Sequence, residues 1–348
     1  MEQQNMHETI QISARSESEQ IRDEIIRLFL KANGGFVSTG DLSTRLGISR
    51  TAIWKHIQGL ENIGFTFTIQ PRLGHQLKSV PNIPLLPLLE NHLPTSCQLG
   101  RAVKWLPEVD STNATAARLA AQGAPHGTVV VADCQTGGRG RRGRHWFSPM
   151  GGLWVSVLLR RPIPLHHASE LTLLSSVAIR RALMAETGLD IHIKWPNDLL
   201  YKGKKVCGIL AEIRAEGENL ATTVLGMGIN TNLSVVEFPA DLSLTATSLS
   251  AALSQPISHL RLLAQVLSHL DPWIEQLASG QRVFPQVAAE WRQSCSTLGR
   301  PVRVNTPSGL VTGDALAVDE EGILYVRTLT GSIQKIHTGD VLFEEDPK

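Results

Sequence analysis

The sequence predicts a multidomain α+β protein with an N-terminal winged helix-turn-helix, a central mixed β-sheet with helices, and a small C-terminal domain of short strands. Three observations support this prediction. Residues 21–80 contain three helical segments followed by a hairpin pattern. Residues 109–230 alternate apolar strands with a few helices, and residues 301–337 contain short strands separated by glycines. A chain of 348 residues that is 42% hydrophobic is long enough for two or three domains.

The charge balance and the apolar segments exclude several classes of protein. The chain has 33 Lys and Arg residues against 32 Asp and Glu residues, so its net charge is +1 and any nucleic-acid surface must be local. No apolar run approaches the roughly 18 residues that indicate a membrane span. The polar N-terminus also lacks the apolar core of a signal peptide. We therefore expect a cytoplasmic protein with no membrane partner.

The four cysteines are Cys97, Cys134, Cys207 and Cys295. None of them lies in a C-x-x-C motif, which favours reduced thiols over a disulfide framework or a zinc site. We expect packing roles for Cys134 and Cys207, and no fixed metal site in the protein.

The N-terminal region changes character near residue 20. Residues 1–18 are polar and acidic, and they are predicted to be a disordered extension. From Ile21 onwards apolar residues recur at helical spacing until Asn33-Gly34-Gly35, which ends the helix with residues that tolerate a left-handed conformation. A winged helix-turn-helix domain is predicted over residues 19–82.

Two further helices complete the helix-turn-helix. The first is predicted over residues 39–46, and Ser49 is a suitable N-cap for the next, which runs to about Ile63. Ile53 and Leu60 share one face of this last helix, and polar side chains occupy the opposite face. The DNA-binding candidates on and before that face are Ser49, Arg50, Thr51, Trp54, Lys55 and Gln58.

A β-hairpin is predicted over residues 65–69 and 75–78, and it supplies the wing. Residues 21–80 hold eight Lys or Arg and four Asp or Glu, an excess of four positive charges in a chain whose net charge is +1. This local charge favours DNA binding. The alternative is a winged helix used only for protein contacts. Prolines at 81, 84 and 87 then predict a stiff linker.

A second domain is predicted over residues 83–296, and it holds the segments whose composition indicates a binding site. Ser111 and Thr112 precede a helix that ends near Gly123, and capping alone could explain both residues. A helix over residues 170–186 leads to a strand at 191–195, and residues 199–228 form antiparallel strands. Lys194 and Lys205 lie in otherwise apolar strands. A lysine that serves only as a solvated surface charge is less expected there than on a helix, although an edge strand or an ion-pair partner could also explain it.

The segment QTGGRGRRGRHWFSP at 135–149 has four glycines and four arginines within residues 137–144. Glycines let backbone N–H groups converge on an anion, and arginines add charged donors. A solvated basic loop or a nucleic-acid patch is the alternative. Gly138, Gly140 and Gly143 match G-x-G-x-x-G, but no helix follows, so we reject a dinucleotide fingerprint. The chain also lacks a P-loop motif.

Five motifs in this order together resemble those of the biotin protein ligases: DSTN at 110–113, QTGGRGRRGRHWFSP at 135–149, KWPND at 194–198, KKVCGILAE at 204–212 and GMGIN at 226–230. With a helix-turn-helix in front, the chain resembles the bifunctional members of that family, which are both biotin ligases and biotin operon repressors. The resemblance implies a class II synthetase-like biotin/lipoate ligase fold in the centre. It also implies a small SH3-like barrel over residues 297–348.

The resemblance implies an enzyme, a biotin–[biotin carboxyl-carrier protein] ligase. Such enzymes join biotin to the α-phosphate of MgATP, release pyrophosphate, and pass biotin from biotinyl-5'-AMP to one carrier lysine. Cations are needed because two anions react. The implied catalytic residues are Arg139, Arg141, Lys205 and Asp198, with Asp198 helping either to deprotonate the attacking lysine or to organise Mg²⁺. We expect His145 to be an incidental loop residue.

The family motifs also imply the substrate contacts. Biotin is expected to contact Ser111, Thr112, Asn113, Gln135, Gly138, Arg139, Arg141, Lys205 and Gly208. ATP and the adenylate are expected to contact Arg141, Arg142, Arg144, Trp146, Asn197, Lys205 and Asn230. The glycine-rich loop is expected to be mobile when empty and to close over the adenylate, with Trp146 covering the adenine.

The implied partners are the biotin carboxyl carrier protein of acetyl-CoA carboxylase, the operator DNA of biotin genes, and a second copy in an adenylate-induced homodimer. In this scheme biotinyl-5'-AMP is the corepressor. Two alternatives remain, a lipoate-type protein ligase and a non-catalytic biotin-sensing repressor. The intact set of Arg139, Arg141 and Lys205 argues against the second.

Overall fold

The computed structural model describes residues 16–216 and 219–343. They divide into two compact units. The first contains the residues up to Asn82 together with Arg118–Ala124, and the second contains Ile83–Ala117 and the residues from Pro125 onwards. No helix within the described ranges is long and apolar enough to span a membrane.

The first unit is a winged helix-turn-helix. Its elements are α1 (Glu17–Lys31), β1 (Phe36–Val37), α2 (Thr39–Leu46), α3 (Arg50–Asn62), β2 (Thr66–Gln70) and β3 (Gly74–Ser79). The three strands pair in the order β1-β3-β2. One face of each helix supplies the core, which includes Ile25, Phe29, Leu42, Ile53 and Leu60. The predicted helices and wing are confirmed, and β1 is an additional strand.

The start of α1 corrects one boundary. The disordered extension was predicted to reach residue 18, but the helix begins at Glu17. Ser16 accepts a hydrogen bond from the Glu19 backbone N–H (3.2 Å), and the Glu19 carboxylate accepts one from the Ser16 backbone N–H (3.0 Å). This capping box stabilises a helix that begins four residues before Ile21, where the apolar pattern starts. Residues 1–15 lie outside the described ranges.

The proline-rich linker is shorter than predicted. α4 (Leu86–Glu90) begins within it, with Pro87 as the second helical residue. Proline is tolerated there because its missing N–H would have no partner in the first turn of a helix.

The second unit is built on a mixed β-sheet. Its strands are β4 (Ala102–Val109), β5 (Thr128–Gln135), β6 (Leu153–Leu159), β7 (Ile163–Pro164), β8 (Ile191–Lys194), β9 (Asp198–Tyr201), β10 (Lys204–Glu216) and β11 (Asn219–Ile229). The main order is β4-β5-β6-β11-β10-β9-β8, and β7 pairs with β11. β4 and β5 are parallel, joined by α5 (Thr112–Ala121), while the other pairs are antiparallel. The predicted mixed sheet is confirmed.

Four more helices belong to this unit: α6 (Ala168–Thr187), α7 (Leu249–Leu253), α8 (His259–Ala278) and α9 (Phe284–Ser294). α6 ends at Gly188, whose φ of 69° is left-handed, as the sequence predicts. α8 is strongly amphipathic and buries leucines on one face, including Leu263, Leu267 and Leu270.

The C-terminal region is an antiparallel sheet of five strands: β12 (Pro301–Thr306), β13 (Gly309–Val318), β14 (Leu324–Thr328), β15 (Ile333–Ile336) and β16 (Asp340–Phe343). Their order is β15-β14-β13-β12-β16. Val302, Val304 and Val326 are fully buried in its core. The sequence predicts the first four strands, and β16 is an addition that places Asp340 at the start of a paired strand.

Candidate functional site

A cavity of about 360 Å³ lies in the second unit, bounded by the central sheet, the Gly/Arg loop (residues 137–144) and the start of β16. The predicted substrate-binding and catalytic residues that line it are Ser111, Thr112, Asn113, Gln135, Arg139, Arg141, Arg144, Trp146, Asn197, Asp198, Lys205, Gly208 and Asn230. Gly138 and Arg142 are not among the lining residues. All five sequence motifs therefore supply residues of the wall. The GMGIN motif supplies Gly226 to Gly228 and Asn230.

Thr112, Asn113, Gln135, Ser148 and Ser156 form a hydrogen-bonded cluster. The Thr112 backbone N–H and hydroxyl donate to Gln135 Oε1 at 2.8 and 3.1 Å. Gln135 Nε2 donates to Ser148 Oγ at 2.8 Å, and Ser148 Oγ donates to the Trp146 carbonyl at 2.9 Å. The Gln135 side chain is thus fixed in one orientation before any ligand arrives.

Asn113 completes this cluster. Its Oδ1 accepts from Ser156 Oγ at 2.6 Å, and its Nδ2 donates to Glu212 Oε2 at 2.7 Å. Ser156 Oγ also lies 2.8 Å from Thr112 Oγ1. A Cβ atom on Gly226 would overlap Asn113 Oδ1. The Asn113 side chain therefore packs into a gap in the sheet, and both ends of its amide are already bonded within the protein.

Trp146 lies on a pair of glycines. Gly208 of β10 is directly opposite Gly228 of β11. A Cβ on Gly208 would lie 2.7 Å from the Trp146 ring, and one on Gly228 would overlap the ring nitrogen. Trp146 Nε1 is buried with no hydrogen-bond partner among the described residues. The missing side chains let the indole pack flat on the sheet backbone, so glycine is required at both positions.

Lys205 and Asp198 form an ion pair, with Lys205 Nζ 2.8 Å from Asp198 Oδ1. The side chains are 31% and 22% exposed, so the pair is accessible from the cavity. Lys205 Nζ is also 4.8 Å from the centroid of the Trp146 ring, within the range of a cation–π interaction. Lys205 thus contacts both the Asp198 carboxylate and the aromatic ring of Trp146.

Asn197 and Asn230 hold the backbone around these charges. Asn197 Nδ2 donates to the Ile209 carbonyl at 2.8 Å, and its Oδ1 accepts from Arg141 at 3.1 Å. Asn230 Nδ2 donates to the carbonyls of Lys205 (3.4 Å) and Thr247 (3.1 Å). Both amides support the cavity wall, and Asn197 in addition orients a loop arginine.

The Gly/Arg loop folds back towards the C-terminal sheet. Arg141 donates to Thr338 Oγ1 at 2.8 Å and to the Gly339 carbonyl at 3.3 Å. Arg142 and Arg144 both form ion pairs with Asp340, at 3.4 and 2.6 Å. Burial lowers the pKa of Arg141, and the nearby Asp340 and Asp198 carboxylates oppose that shift. A guanidinium loses its proton only far above neutral pH, so Arg141 stays charged at neutral pH despite this shift.

Four side chains form the cationic group: Arg139, Arg141, Arg144 and Lys205. All four line the cavity. Arg139 pairs through its backbone with His145 and exposes its side chain. Together with the apolar wall residues Phe147, Phe238 and Leu242, they offer an anionic ligand both charge neutralisation and an apolar surface.

Gly138 and Arg142 have different surroundings from those that the sequence predicts. A Cβ on Gly138 would lie 2.5 Å from both Ser148 Oγ and the Trp146 carbonyl. Glycine is therefore required there by packing within the loop. Arg142 has a left-handed φ of 57° and donates to the Asn305 carbonyl at 3.1 Å, so its side chain is directed to the C-terminal sheet.

Cys207 is fully buried in β10 beside Lys205. Burial raises the pKa of its thiol well above the usual range, so the group stays protonated. Its surroundings are those of a packing residue.

The DNA-binding candidates lie on and before α3, within the first unit. Arg50, Thr51, Trp54, Lys55 and Gln58 are exposed, and Ile53, Ile57 and Leu60 on the other face are buried. Ser49 is the N-cap, because its hydroxyl accepts from the Ala52 backbone N–H at 3.1 Å. Arg72, at the turn of the wing between β2 and β3, adds an exposed cation that the candidate set leaves out.

Three residues of the site were missed from the sequence. Ser156 is a lone polar residue in the apolar strand LWVSVLL, and that contrast could have identified it. Ser148 lies at the end of the Gly/Arg motif and could have been tested as a partner of Gln135. Asp340 is almost 200 positions from the arginines it pairs with, so no local pattern connects them.

No group of three or more Asp, Glu, His or Cys side chains in residues 16–216 and 219–343 is arranged to hold a metal ion. The carboxylates that line the cavity are Asp198 and Asp340, and each pairs with a cation of the chain.

Three family models match the chain. A model of an HTH domain matches residues 22–76, one of the biotin/lipoate A/B protein ligase family matches residues 105–230, and one of the biotin protein ligase C-terminal domain matches residues 297–343. The second match contains all five motifs. The order of the three models is the order of the predicted domains.

Individual relatives are similar over most of the chain. The bifunctional ligase/repressor BirA of Bacillus spizizenii is 37% identical over 323 residues, which cover 92% of this chain and 98% of the relative. The Escherichia coli protein of that name is 31% identical over 86% of this chain and 90% of its own length. A solved structure of the biotin protein ligase from Aquifex aeolicus, in complex with biotin and ATP, is 31% identical with a TM-score of 0.59, over 70% of this chain and 98% of that one.

Proposed function

Because the chain belongs to the family of bifunctional biotin ligases and repressors, we propose that its cavity activates biotin with MgATP and transfers it to a carrier lysine. In the first step a biotin carboxylate oxygen attacks the α-phosphorus of ATP, and the bond to the pyrophosphate oxygen breaks. In the second step the carrier amine attacks the acyl carbon, AMP leaves, and an amide forms. The carrier proton is lost to a base or to water.

One observation carries this proposal: a single cavity of about 360 Å³ combines a pre-ordered hydrogen-bonded cluster with four cations. A ureido ring requires a few fixed donors and acceptors, which Ser111, Thr112 and Gln135 supply. A carboxylate and a triphosphate require cations, which the Gly/Arg loop and Lys205 supply. Neither the hydrogen-bonded cluster alone nor the cations alone could bind both biotin and ATP.

Lys205 is the residue on which we place the largest catalytic effect. Its ammonium lies in the cavity, and the backbone around it is bonded to Thr245, Thr247 and Asn230. A cation held by so many backbone contacts needs little reorganisation when charge develops on the phosphoryl oxygens. Asp198, 2.8 Å away, is the residue placed to accept the proton of the attacking carrier lysine or to orient Lys205.

Magnesium enters with ATP in this proposal. The two carboxylates that line the cavity pair with protein cations, and the described residues contain no preformed carboxylate cage. Magnesium ions in nucleotide enzymes are commonly held by the phosphates and a few protein oxygens. Asp198 is the carboxylate of this chain that we expect nearest to the phosphates.

Biotin attachment to a carrier domain tests the ligase proposal. Purified protein is incubated with biotin, MgATP and a biotin carboxyl carrier domain, and the carrier is weighed by mass spectrometry. We expect one biotin per carrier, and Lys205→Ala should slow attachment about a hundredfold to a thousandfold, as loss of a key charge-stabilising group does.

The matched control is Lys204→Ala, which removes the neighbouring exposed lysine of the same strand. Attachment at the wild-type rate by Lys205→Ala would contradict the role of this residue. A wild-type protein that binds biotin but attaches none would support the non-catalytic sensor instead.

We further propose that the winged helix binds operator DNA, with α3 in the major groove, and that the adenylate promotes a homodimer that spans two half-sites. Support comes from the exposed polar face of α3 and from the local excess of four positive charges. The predicted cytoplasmic location fits both roles and stays a prediction.

DNA affinity can be measured by fluorescence anisotropy over a range of salt concentrations, with and without biotin and ATP. Lys55→Ala should weaken binding and reduce the salt slope by about 1, as loss of one phosphate contact does. Lys31→Ala, at the exposed end of α1, is the matched control. If Lys55→Ala bound DNA like the wild type, α3 would not be the reading helix.

A further inference from the structure

We propose that Asp340 of the C-terminal sheet is a positioning residue that holds the Gly/Arg loop closed over the cavity. The inference deepens the proposed ligase function, since a closed loop would keep the adenylate from water. Its geometric basis is independent of that function, because it concerns the protein alone.

The Asp340 carboxylate binds two arginines at once. Oδ1 is 2.6 Å from Arg144 Nη2, and Oδ2 is 3.4 Å from Arg142 Nη1. Each oxygen therefore pairs with a different arginine, and the carboxylate bridges two positions of one loop. Asp340 itself cannot easily move away, because its backbone pairs with Asn305 at the β12-β16 edge.

The loop makes further contacts with the same region of the C-terminal sheet. Arg141 donates to Thr338 Oγ1 and to the Gly339 carbonyl, and Arg142 donates to the Asn305 carbonyl. Arg141 is thus bonded to the β15-β16 turn, Arg142 to β12 and Asp340, and Arg144 to Asp340 of β16. A four-glycine loop has a large conformational entropy, and these bonds select one of its conformations.

The carboxylate is better placed than its partners to act as an anchor. The Asp340 side chain is 20% exposed, while those of Arg142 and Arg144 are 39% and 61% exposed. Such pairs are individually weak and are screened by salt, but two pairs sharing one carboxylate form a small network. The expected closure is therefore reversible, which a loop that must admit substrates and release products requires.

The closed arrangement also divides the arginines between two tasks. Arg142 and Arg144 share the single negative charge of Asp340. Arg139 exposes its side chain at the cavity, and Arg141 is oriented by Asn197 at 3.1 Å. Asp340 thus acts on the reaction through other residues. Loss of its charge should loosen the loop without removing any group that we expect to contact the reacting atoms.

Limited trypsin digestion of the ligand-free full-length protein tests the proposal directly. Cleavage after the loop arginines requires the loop to leave its closed conformation. Asp340→Asn should raise the initial rate of cleavage within residues 139–144 about fivefold relative to the wild type, the effect expected for loss of a small ion-pair network. Cleavage sites are assigned by mass.

Two variants control for unrelated effects. Asp314→Asn removes an exposed carboxylate from β13 of the same sheet and should leave the cleavage rate unchanged. Asp340→Glu keeps the charge and should restore most of the protection. Equal cleavage of the wild type and Asp340→Asn, with both proteins melting at the same temperature, would overturn the proposal.

A second measurement links the closure to the proposed function. Release of biotinyl-5'-AMP, formed in place from biotin and MgATP, should be about fivefold faster from Asp340→Asn than from the wild type, with Asp314→Asn unchanged. If Asp340→Asn were cleaved faster but the wild type formed no adenylate, the ligase proposal would be refuted and the proposed loop closure would stand. Faster cleavage with an unchanged release rate would show that Asp340 closes the loop without retaining the adenylate, and would overturn that part of the inference.

Discussion

The hydrogen-bonded cluster and the cationic group line the same cavity but are held in different ways. Every residue of the hydrogen-bonded cluster is buried except Gln135, which is half-buried. Short bonds connect Thr112, Gln135 and Ser148 within the protein. The arginines of the cationic group lie on a glycine-rich loop and depend on ion pairs and exposed hydrogen bonds. One part of the site is therefore preformed by packing, and the other is held by electrostatic contacts that can be exchanged.

This difference matches what each part has to recognise. Discrimination of a neutral ring depends on donors and acceptors that cannot rearrange to suit another ligand, and a buried network supplies that rigidity. A triphosphate must enter and its pyrophosphate must leave, so the groups around it have to move. Placing the two tasks on separate elements allows the loop to open while the ring pocket stays intact.

Among the tests of this difference, the largest expected effect on biotin affinity comes from disturbing the preformed part. Gly208→Ala would put a Cβ 2.7 Å from the Trp146 ring and force the indole off the sheet. Overpacking of this kind costs about 2 kcal/mol, so we expect roughly thirtyfold weaker biotin binding by calorimetry.

Gly59→Ala is its control, because a Cβ on that helical glycine meets no atom within 4 Å. Unchanged biotin affinity in Gly208→Ala would mean that Trp146 does not need its position on the glycine pair, and that this part of the cavity is not preformed.

A smaller effect is expected from Ser148→Ala. This change removes the acceptor of Gln135 Nε2 and leaves that half-buried amide with one bond fewer. We expect a loss of about 1 kcal/mol, or about fivefold in biotin affinity, with no increase in trypsin cleavage of the Gly/Arg loop. A large increase in cleavage would show that the two parts are not independent.

The smallest expected effect comes from a change in salt concentration, which compares the two parts of the site without a mutation. Raising sodium chloride from 0.05 to 0.5 M shortens the screening length to about 4 Å and should raise the rate of loop cleavage about twofold in the wild type. The affinity for a neutral biotin ester, which keeps the ureido ring and lacks the carboxylate charge, should change less than that, because the hydrogen-bonded cluster carries no net charge to screen. Equal salt sensitivity of the two quantities would contradict the division.

Local sequence patterns predicted much of this molecule. The helix-turn-helix followed from apolar spacing and from the N-cap at Ser49, and most strands followed from β-branched runs between glycines. The motifs also predicted the residues that the fold gathers around the cavity, since Lys205 and Asp198 lie in different motifs yet form an ion pair. Whether each residue performs its predicted role stays a prediction.

Among the residues that were missed, Asp340 depends on a contact between distant parts of the chain, because it acquires its significance only when β16 is placed beside the Gly/Arg loop. Gly138 was predicted as a biotin contact, but the reason for a glycine there is its packing against Ser148 and the Trp146 carbonyl. The capping box at Ser16 was a local pattern and was available from the sequence. Local sequence patterns predict which residues lie in helices and strands, but the packing of distant segments decides which side chains are in contact.

Biotin-dependent exchange of labelled pyrophosphate into ATP tests the central claim, that this cavity activates biotin, most directly. We predict rapid exchange in the presence of biotin, none without it, little with lipoate in its place, and about a hundredfold or greater reduction in Lys205→Ala. Equal exchange with lipoate would identify a lipoate-type ligase. No exchange with biotin, from a protein that still binds it, would contradict the claim.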